Sequence, residues 1–141
     1  MNENLLYKNE AYQIIGACME VHKFLGKGFN EVVYGDALEI EFQSQNIPYK
    51  REVKFSINYK GKIIPHYYFA DFVIDNKIIL EIKAIKELNS GHLKQTLNYL
   101  ATSKLKLGLL INFGENSLQY KRVILNNPCK SVKSASQKKS V

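Results

Sequence analysis

Apolar residues recur every three or four positions in some stretches of the chain and every second position in others. Residues 9–25 carry Ile14, Cys18, Val21 and Leu25 at helical spacing, and Gly26 stops that helix. A second helix is expected from about Phe29 to Gln45, ended by Asn46 and Pro48. The period then changes to two. Tyr49, Val53, Phe55, Ile57 and Tyr59 alternate with Lys50, Glu52, Lys54, Ser56 and Asn58, which reads as a half-exposed strand. Lys60-Gly61 turns the chain into a second strand, Ile63–Ile74, and Asp75-Asn76 turns it into a third, Ile78–Lys83. Ser90 is expected to cap a third helix with Leu93, Leu97 and Leu100 as its core stripe. The near-continuous apolar run Leu105–Phe113 suits a strand covered on both faces, and Leu118–Leu125 supplies the last strand. The order α-α-β-β-β-α-β-β, a meander followed by a helical crossover, predicts an α/β domain with a mixed sheet and helices against it.

Composition changes this picture little. A chain of 141 residues with 45% hydrophobic and 23% charged content fits one soluble globular domain. No apolar run approaches the roughly 20 residues of a membrane span, and the N-terminus has no secretory h-region. Two cysteines far apart, Cys18 and Cys129, make no disulfide framework, so the expectation is a cytoplasmic protein. The net charge of +7 is concentrated at one end: residues 126–141 hold four lysines and no acid. That segment lacks periodicity and is expected to be a disordered basic tail behind a domain of residues 1–125. It adds non-specific attraction to phosphate and does not by itself identify a binding protein.

Candidate chemistry begins on the third strand. A period of two puts Glu81 and Lys83 on one face with Ile79, and Ile78, Leu80 and Ile82 on the other. Alone, an acid and a lysine two residues apart describe a surface ion pair. Asp71 changes this, because it lies in the apolar run YYFADFVI, where a carboxylate is costly unless hydrogen-bonded, paired or metal-bound. It also lies on the strand expected to pair with Glu81. Register decides whether the two meet. A two-residue Asp75-Asn76 loop sets Asp71 opposite Leu80; a three-residue loop closed by Asn76 sets it opposite Ile79, and one closed by Lys77 opposite Glu81. A β-bulge would serve equally.

Two neighbouring carboxylates repel unless a cation sits between them, and hard oxygen ligands suit Mg²⁺ or Mn²⁺. A lysine one pleat away can orient an attacking water or stabilise developing phosphorane charge. Asp71, Glu81 and Lys83 therefore have the makings of a metal-dependent phosphodiesterase. On the third helix His92, Gln95 and Tyr99 share a face away from the leucines, either as a contact to a nucleic-acid backbone or as a solvated surface. On the second helix Glu31 points in nearly the same direction as Leu38 and Phe42, an unusual place for a carboxylate.

Several blocks together carry a resemblance. They are EVHKFLGKG (Glu20–Gly28), GFNEVVY (Gly28–Tyr34), DALEIEF (Asp36–Phe42), ADFVIDNKIILEIKA (Ala70–Ala84), HLKQTLNYL (His92–Leu100) and LGLLINFG (Leu107–Gly114). In this order, over residues 10–125, the chain resembles the GxxExxY protein family, a branch of the PD-(D/E)xK nuclease superfamily. The resemblance implies a restriction-endonuclease-like core. It implies that Asp71 and Glu81 bind the metal, that Lys83 assists attack by water and that Glu31 completes the site. Gln95 and Tyr99 match a Gln-x-x-x-Tyr motif of exonuclease-like branches. Two positions depart from the pattern: Ala70 stands for the proline before the aspartate, and Phe69 where relatives often have arginine.

The expectation is a Mg²⁺- or Mn²⁺-dependent hydrolase of nucleic-acid phosphodiesters. Asp71, Glu81 and Lys83 are the expected catalytic residues; Asp71, Glu81 and Glu31 the metal ligands; and Gln95, Tyr99 and His92 the substrate contacts. DNA is placed before RNA as the substrate, a homodimer or protein partner is an option, and no membrane is involved. The alternative is a non-catalytic nucleic-acid- or protein-binding module that keeps the fold.

Overall fold

The path out of the first helix is set by a tyrosine. The computed structural model describes residues 6–125, so the expected basic tail at 126–141 lies outside the described residues. Helix α1 (Lys8–Leu25) ends at Gly26, whose φ of 67° favours glycine. Gly28 follows with φ 115°. Asn30 then caps α2 (Glu31–Ser44), its side chain accepting from the Val33 amide. The Tyr34 hydroxyl, one turn into α2, donates to the Gly26 carbonyl at 2.6 Å and accepts from the Phe29 amide at 3.3 Å. Its ring is fully buried and stacked on Phe113 at 4.4 Å. The spacing Gly28, Glu31, Tyr34 thus describes a tight interhelical turn, pinned from inside, that presents Glu31 at the first position of a helix.

The sheet follows as β1 (Tyr49–Tyr59), β2 (Lys62–Ile74), β3 (Ile78–Lys83), β4 (Leu107–Asn112) and β5 (Gln119–Ile124), with α3 (Ser90–Ser103) between β3 and β4. The five strands lie in sequence order. Only β3 and β4, joined through α3, run parallel; the other neighbours are antiparallel. This is the expected α/β arrangement with a mixed sheet. Both faces of the sheet are packed. Ile78, Leu80 and Ile82 of β3 join Phe72, Ile74 and the inner faces of α1 and α2. Ile79 joins Tyr68, Ala70, Val73 and the leucines of α3 on the other side. Each fully buried large aliphatic contributes roughly 1.5–3 kcal/mol, and apart from Glu81, Lys83, Gly108 and Asn112 every residue of β3 and β4 is of this kind. Helix α3 lies so close to β4 that a Cβ at Gly108 would fall 2.8 Å from Thr96 Cγ2.

Two local expectations are corrected. The cap of α3 is Asn89, one residue earlier than Ser90: its side chain accepts from the Gly91 and His92 amides. The even alternation read along β1 is interrupted. Tyr49 packs in the cluster of α1 and α2, whereas Val53 and Phe55 pack with α3. The face changes at Glu52, which has a left-handed φ of 53°.

Candidate active site

That change of face in β1 is matched directly across the sheet. Residues on either side of Glu52 and Asp71 are paired, Arg51 with Phe72 and Val53 with Ala70, but Glu52 and Asp71 are not. In β2, Tyr68 and Ala70 look toward α3, and after Asp71 it is Phe72 and Ile74 that look toward α1 and α2. Asp71 therefore sits where the strand swaps faces. A non-glycine residue at positive φ is uncommon, and such strain concentrates at functional sites.

The β2–β3 connection is a three-residue loop. Asp75 and Asn76 are both left-handed and the Lys77 amide donates to the Ile74 carbonyl at 2.9 Å. Of the registers open from sequence, the one closed by Lys77 is adopted: Ile74 pairs with Ile78, Val73 with Ile79 and Phe72 with Leu80. One further step sets Asp71 across from Glu81, and there the ladder stops. In its place the two side chains bridge the strands. The Ile82 amide donates to Asp71 Oδ2 at 2.7 Å, and the Asp71 amide donates to Glu81 Oε2 at 3.2 Å. The Tyr68 hydroxyl donates to the same Glu81 oxygen at 3.4 Å.

Electrostatics at this point are unfavourable to charge. Burial pushes the Glu81 carboxyl up to about 8, and the Asp71 charge adds to the rise. Hydrogen bonds from the Asp71 amide and Tyr68, together with the Lys83 ammonium, oppose it. Asp71 is raised as well, first by burial, then by the negative charges of Glu31 and Glu52; the Ile82 amide and Lys83 pull it down. Lys83 is half-buried and its charge acts on both acids. Asp71, Glu81 and Lys83 thus form one coupled group.

Glu31 lies beside it. Asp71, Glu31, Glu52 and Arg51 line a cavity of about 110 Å³ between the N-terminal turn of α2 and the sheet. Glu31 Oε2 accepts from the Ala84 amide at 3.3 Å, just beyond the end of β3. Glu31 is exposed, unlike Leu38 and Phe42, and lies at the rim of the site, tied to the residue after β3. Glu52 is a site-lining acid that sequence reasoning missed, because an alternating pattern assigns it to the solvent face.

On the α3 side, the Tyr99 ring stacks on Tyr68 with centroids 3.5 Å apart. Both hydroxyls are shifted upward, first by burial and then by Glu81 among the neighbouring charges. Tyr99 is therefore held against the residue whose hydroxyl donates to Glu81. Gln95, one turn earlier on α3, is exposed. His92 is engaged differently from expectation: its Nδ1 accepts from the Asn89 amide at 3.1 Å as the return half of a capping box. Tyr68 was not anticipated. A tyrosine in a run of aromatics gives no signal that its hydroxyl reaches an acid on the next strand.

A model of the PD-(D/E)XK nuclease superfamily matches residues 8–123. The chain belongs to this superfamily. Among curated proteins, none matches. The solved crystal structure of SSO0001 is similar in fold, with a TM-score of 0.53 and 20% identity over 94% of this chain and 67% of that one. The five-stranded mixed sheet flanked by helices is consistent with the restriction-endonuclease-like fold of the superfamily.

Nucleases of this superfamily typically use divalent metals, and the donor chemistry here fits one. Asp71 and Glu81 supply hard oxygens whose charge is otherwise penalised. Among the described residues, Oδ1 of Asp71 and Oε1 of Glu81 take no hydrogen bond from protein. Three His, Cys, Asp or Glu side chains do not converge as a ready cage among the described residues; Glu31 is instead turned to Ala84. Among these residues, too, no helix is long and apolar enough to cross a membrane.

Proposed function

We propose that the protein is a divalent-metal-dependent phosphodiesterase acting on nucleic acid, DNA before RNA. The observation that carries this reading is the pair Asp71 and Glu81 beside Lys83, at the one place where β2 and β3 part. Asp71 and Glu81, with Glu31 swinging from Ala84, would hold Mg²⁺ or Mn²⁺. When bound, such an ion polarises the phosphoryl oxygen and acidifies water. The chain's own residues do the rest. Lys83 directs its ammonium at the negative charge that grows on the non-bridging phosphoryl oxygens, and so stabilises the transition state more than the ground state. Tyr68 and the Asp71 amide hold Glu81 in place. Tyr99, backed by Tyr68, and the exposed Gln95 offer hydrogen-bonding tips to the substrate backbone.

The test is cleavage of single- and double-stranded DNA and RNA with Mg²⁺, with Mn²⁺ and with EDTA. Cleavage that depends on the metal and is lost in Asp71→Asn supports the assignment. A second reading, a binding module that keeps the fold without catalysis, is favoured by the amide-engaged carboxylates and the turned-away Glu31. It expects salt-sensitive binding with no cleavage under any of these conditions.

A further inference from the structure

The swap of faces at Glu52 and Asp71 has a second effect. Tyr68 and Ala70 turn toward α3, so Tyr67 and Phe69 take the opposite side of the sheet. On that side the cover of α1 and α2 reaches Tyr49, Phe72 and Ile74 and goes no further up the hairpin. The outer half of the β1–β2 hairpin therefore carries bare aromatic surface. Phe69 is 56% exposed, Tyr67 50% and, nearer the tip, Ile63 59%. Isolated apolar residues on a surface are ordinary, but several on one sheet face beside a charged site are not.

The surroundings of these rings are cationic. Between Tyr49 and Ala70 the chain has Lys50, Lys54, Lys60 and Lys62, besides Arg51, and Glu52 is its single acid. Arg51 is neutralised by Asp36 at 2.7 Å and Glu39 at 2.8 Å. Lys54 pairs across the ladder with Phe69, and its ammonium stands over the Tyr67 ring, 3.8 Å from the centroid. The exposed Phe69 ring and the lysine-capped Tyr67 ring beside it suit a chain of bases and phosphates. Exposed stacking also requires bases that are not already stacked and paired in a duplex.

We propose that this hairpin face is a stacking platform for single-stranded nucleic acid, DNA or RNA, leading to the candidate active site. Phe69 lies two residues before Asp71, so a strand stacked on Phe69, with a phosphate at Lys54 beside Tyr67, runs its backbone past the carboxylates. The phenylalanine at 69 is then a base-stacking residue and not a lost charge. The proposal rests on the nuclease reading for its purpose, but its test does not.

The full chain in EDTA is titrated against a fluorescent dT oligonucleotide, its rU counterpart and a blunt DNA duplex of the same length, with anisotropy as the readout. Tighter binding of the single strands than of the duplex is expected. Phe69→Ala should weaken single-strand binding roughly five- to a hundredfold, since one stacked base is lost, and Phe69→Tyr should restore it. Lys54→Ala should lower the slope of affinity against salt. Melting of each variant confirms folding, because both side chains are exposed. Equal affinity for strand and duplex, or an unchanged Phe69→Ala, overturns the platform, whether or not cleavage is found. Loss of binding in Phe69→Ala without any metal-dependent cleavage keeps the platform and removes the nuclease. Sedimentation showing a wild-type dimer that Phe69→Ala dissociates would assign the face to a second copy of the chain and overturn the proposal.

Discussion

The two ends of the β2–β3 ladder share one register and opposite chemistry. At the hairpin end, Ile74 and Ile78, Val73 and Ile79, and Phe72 and Leu80 pair in a continuous backbone ladder, every side chain buried and apolar. One residue further, the ladder gives way and Asp71 and Glu81 bridge the strands with their own carboxylates. The first end contributes stability and could be exchanged for other apolar residues of similar volume. The second places two acids where burial makes both hold their protons more tightly than usual. A site held in this way departs from local structural rules at the point where chemistry is required, and the regular end supplies the rigidity that holds it there.

The comparison breaks most visibly under substitution of Lys83. Lys83→Ala should lower metal-dependent cleavage by about 10²–10³-fold, in line with loss of one transition-state electrostatic partner. Its melting temperature should stay close to that of the wild type. Single-turnover cleavage beside a thermal melt checks both halves. Leu80→Ala, three residues away at the regular end, should do the reverse. A buried leucine truncated to alanine costs about 2–5 kcal/mol, measurable by urea unfolding, with cleavage per folded molecule unchanged.

The irregular end should also be visible in the pH dependence of metal-free stability. Glu81 holds its proton up to about 8 in the folded chain, against an ordinary value of 4.5. Between those values the folded state binds a proton that the unfolded state has released. Stability must therefore fall as pH rises through that window and level off above about 8. Asp71, also raised, acts in the same direction. Denaturant unfolding in EDTA should show a decline of a few kcal/mol at most, and Glu81→Gln should flatten it. The smallest effect lies outside both ends. Asn89→Ala should cost about 1 kcal/mol through loss of the α3 cap, with substrate affinity unchanged, which separates capping by Asn89 and His92 from substrate contact.

Most of the scaffold was legible because burial leaves a periodic trace. Leu93, Leu97 and Leu100 marked the inner face of α3, and the bounds of β3 were read without error. The convergence of Asp71 and Glu81 was legible only as one of several registers, since Asp75-Asn76-Lys77 is compatible with more than one loop. The face change was not legible at all. Left-handed backbone is normally announced by glycine or asparagine, and here it falls on Glu52, a residue that an alternating strand would place in solvent. For the same reason an alternating pattern groups Tyr49 with Val53 and gives no sign of the exposed face of Tyr67 and Phe69. His92 shares a helix face with Gln95 and Tyr99, and that spacing does not reveal that one ring nitrogen accepts a backbone amide.

The central claim is that Asp71 and Glu81 tolerate their burial because a divalent ion resolves it. Calorimetric titration of Mn²⁺ into the wild type and Asp71→Asn, with thermal melting of the same samples, tests this most directly. Saturating metal should stabilise the wild type by about 2.7 kcal/mol at a hundred times its dissociation constant and release protons on binding. Asp71→Asn should show neither effect and should be no less stable than the wild type in EDTA. An equal response of the two proteins to Mn²⁺ would contradict the account.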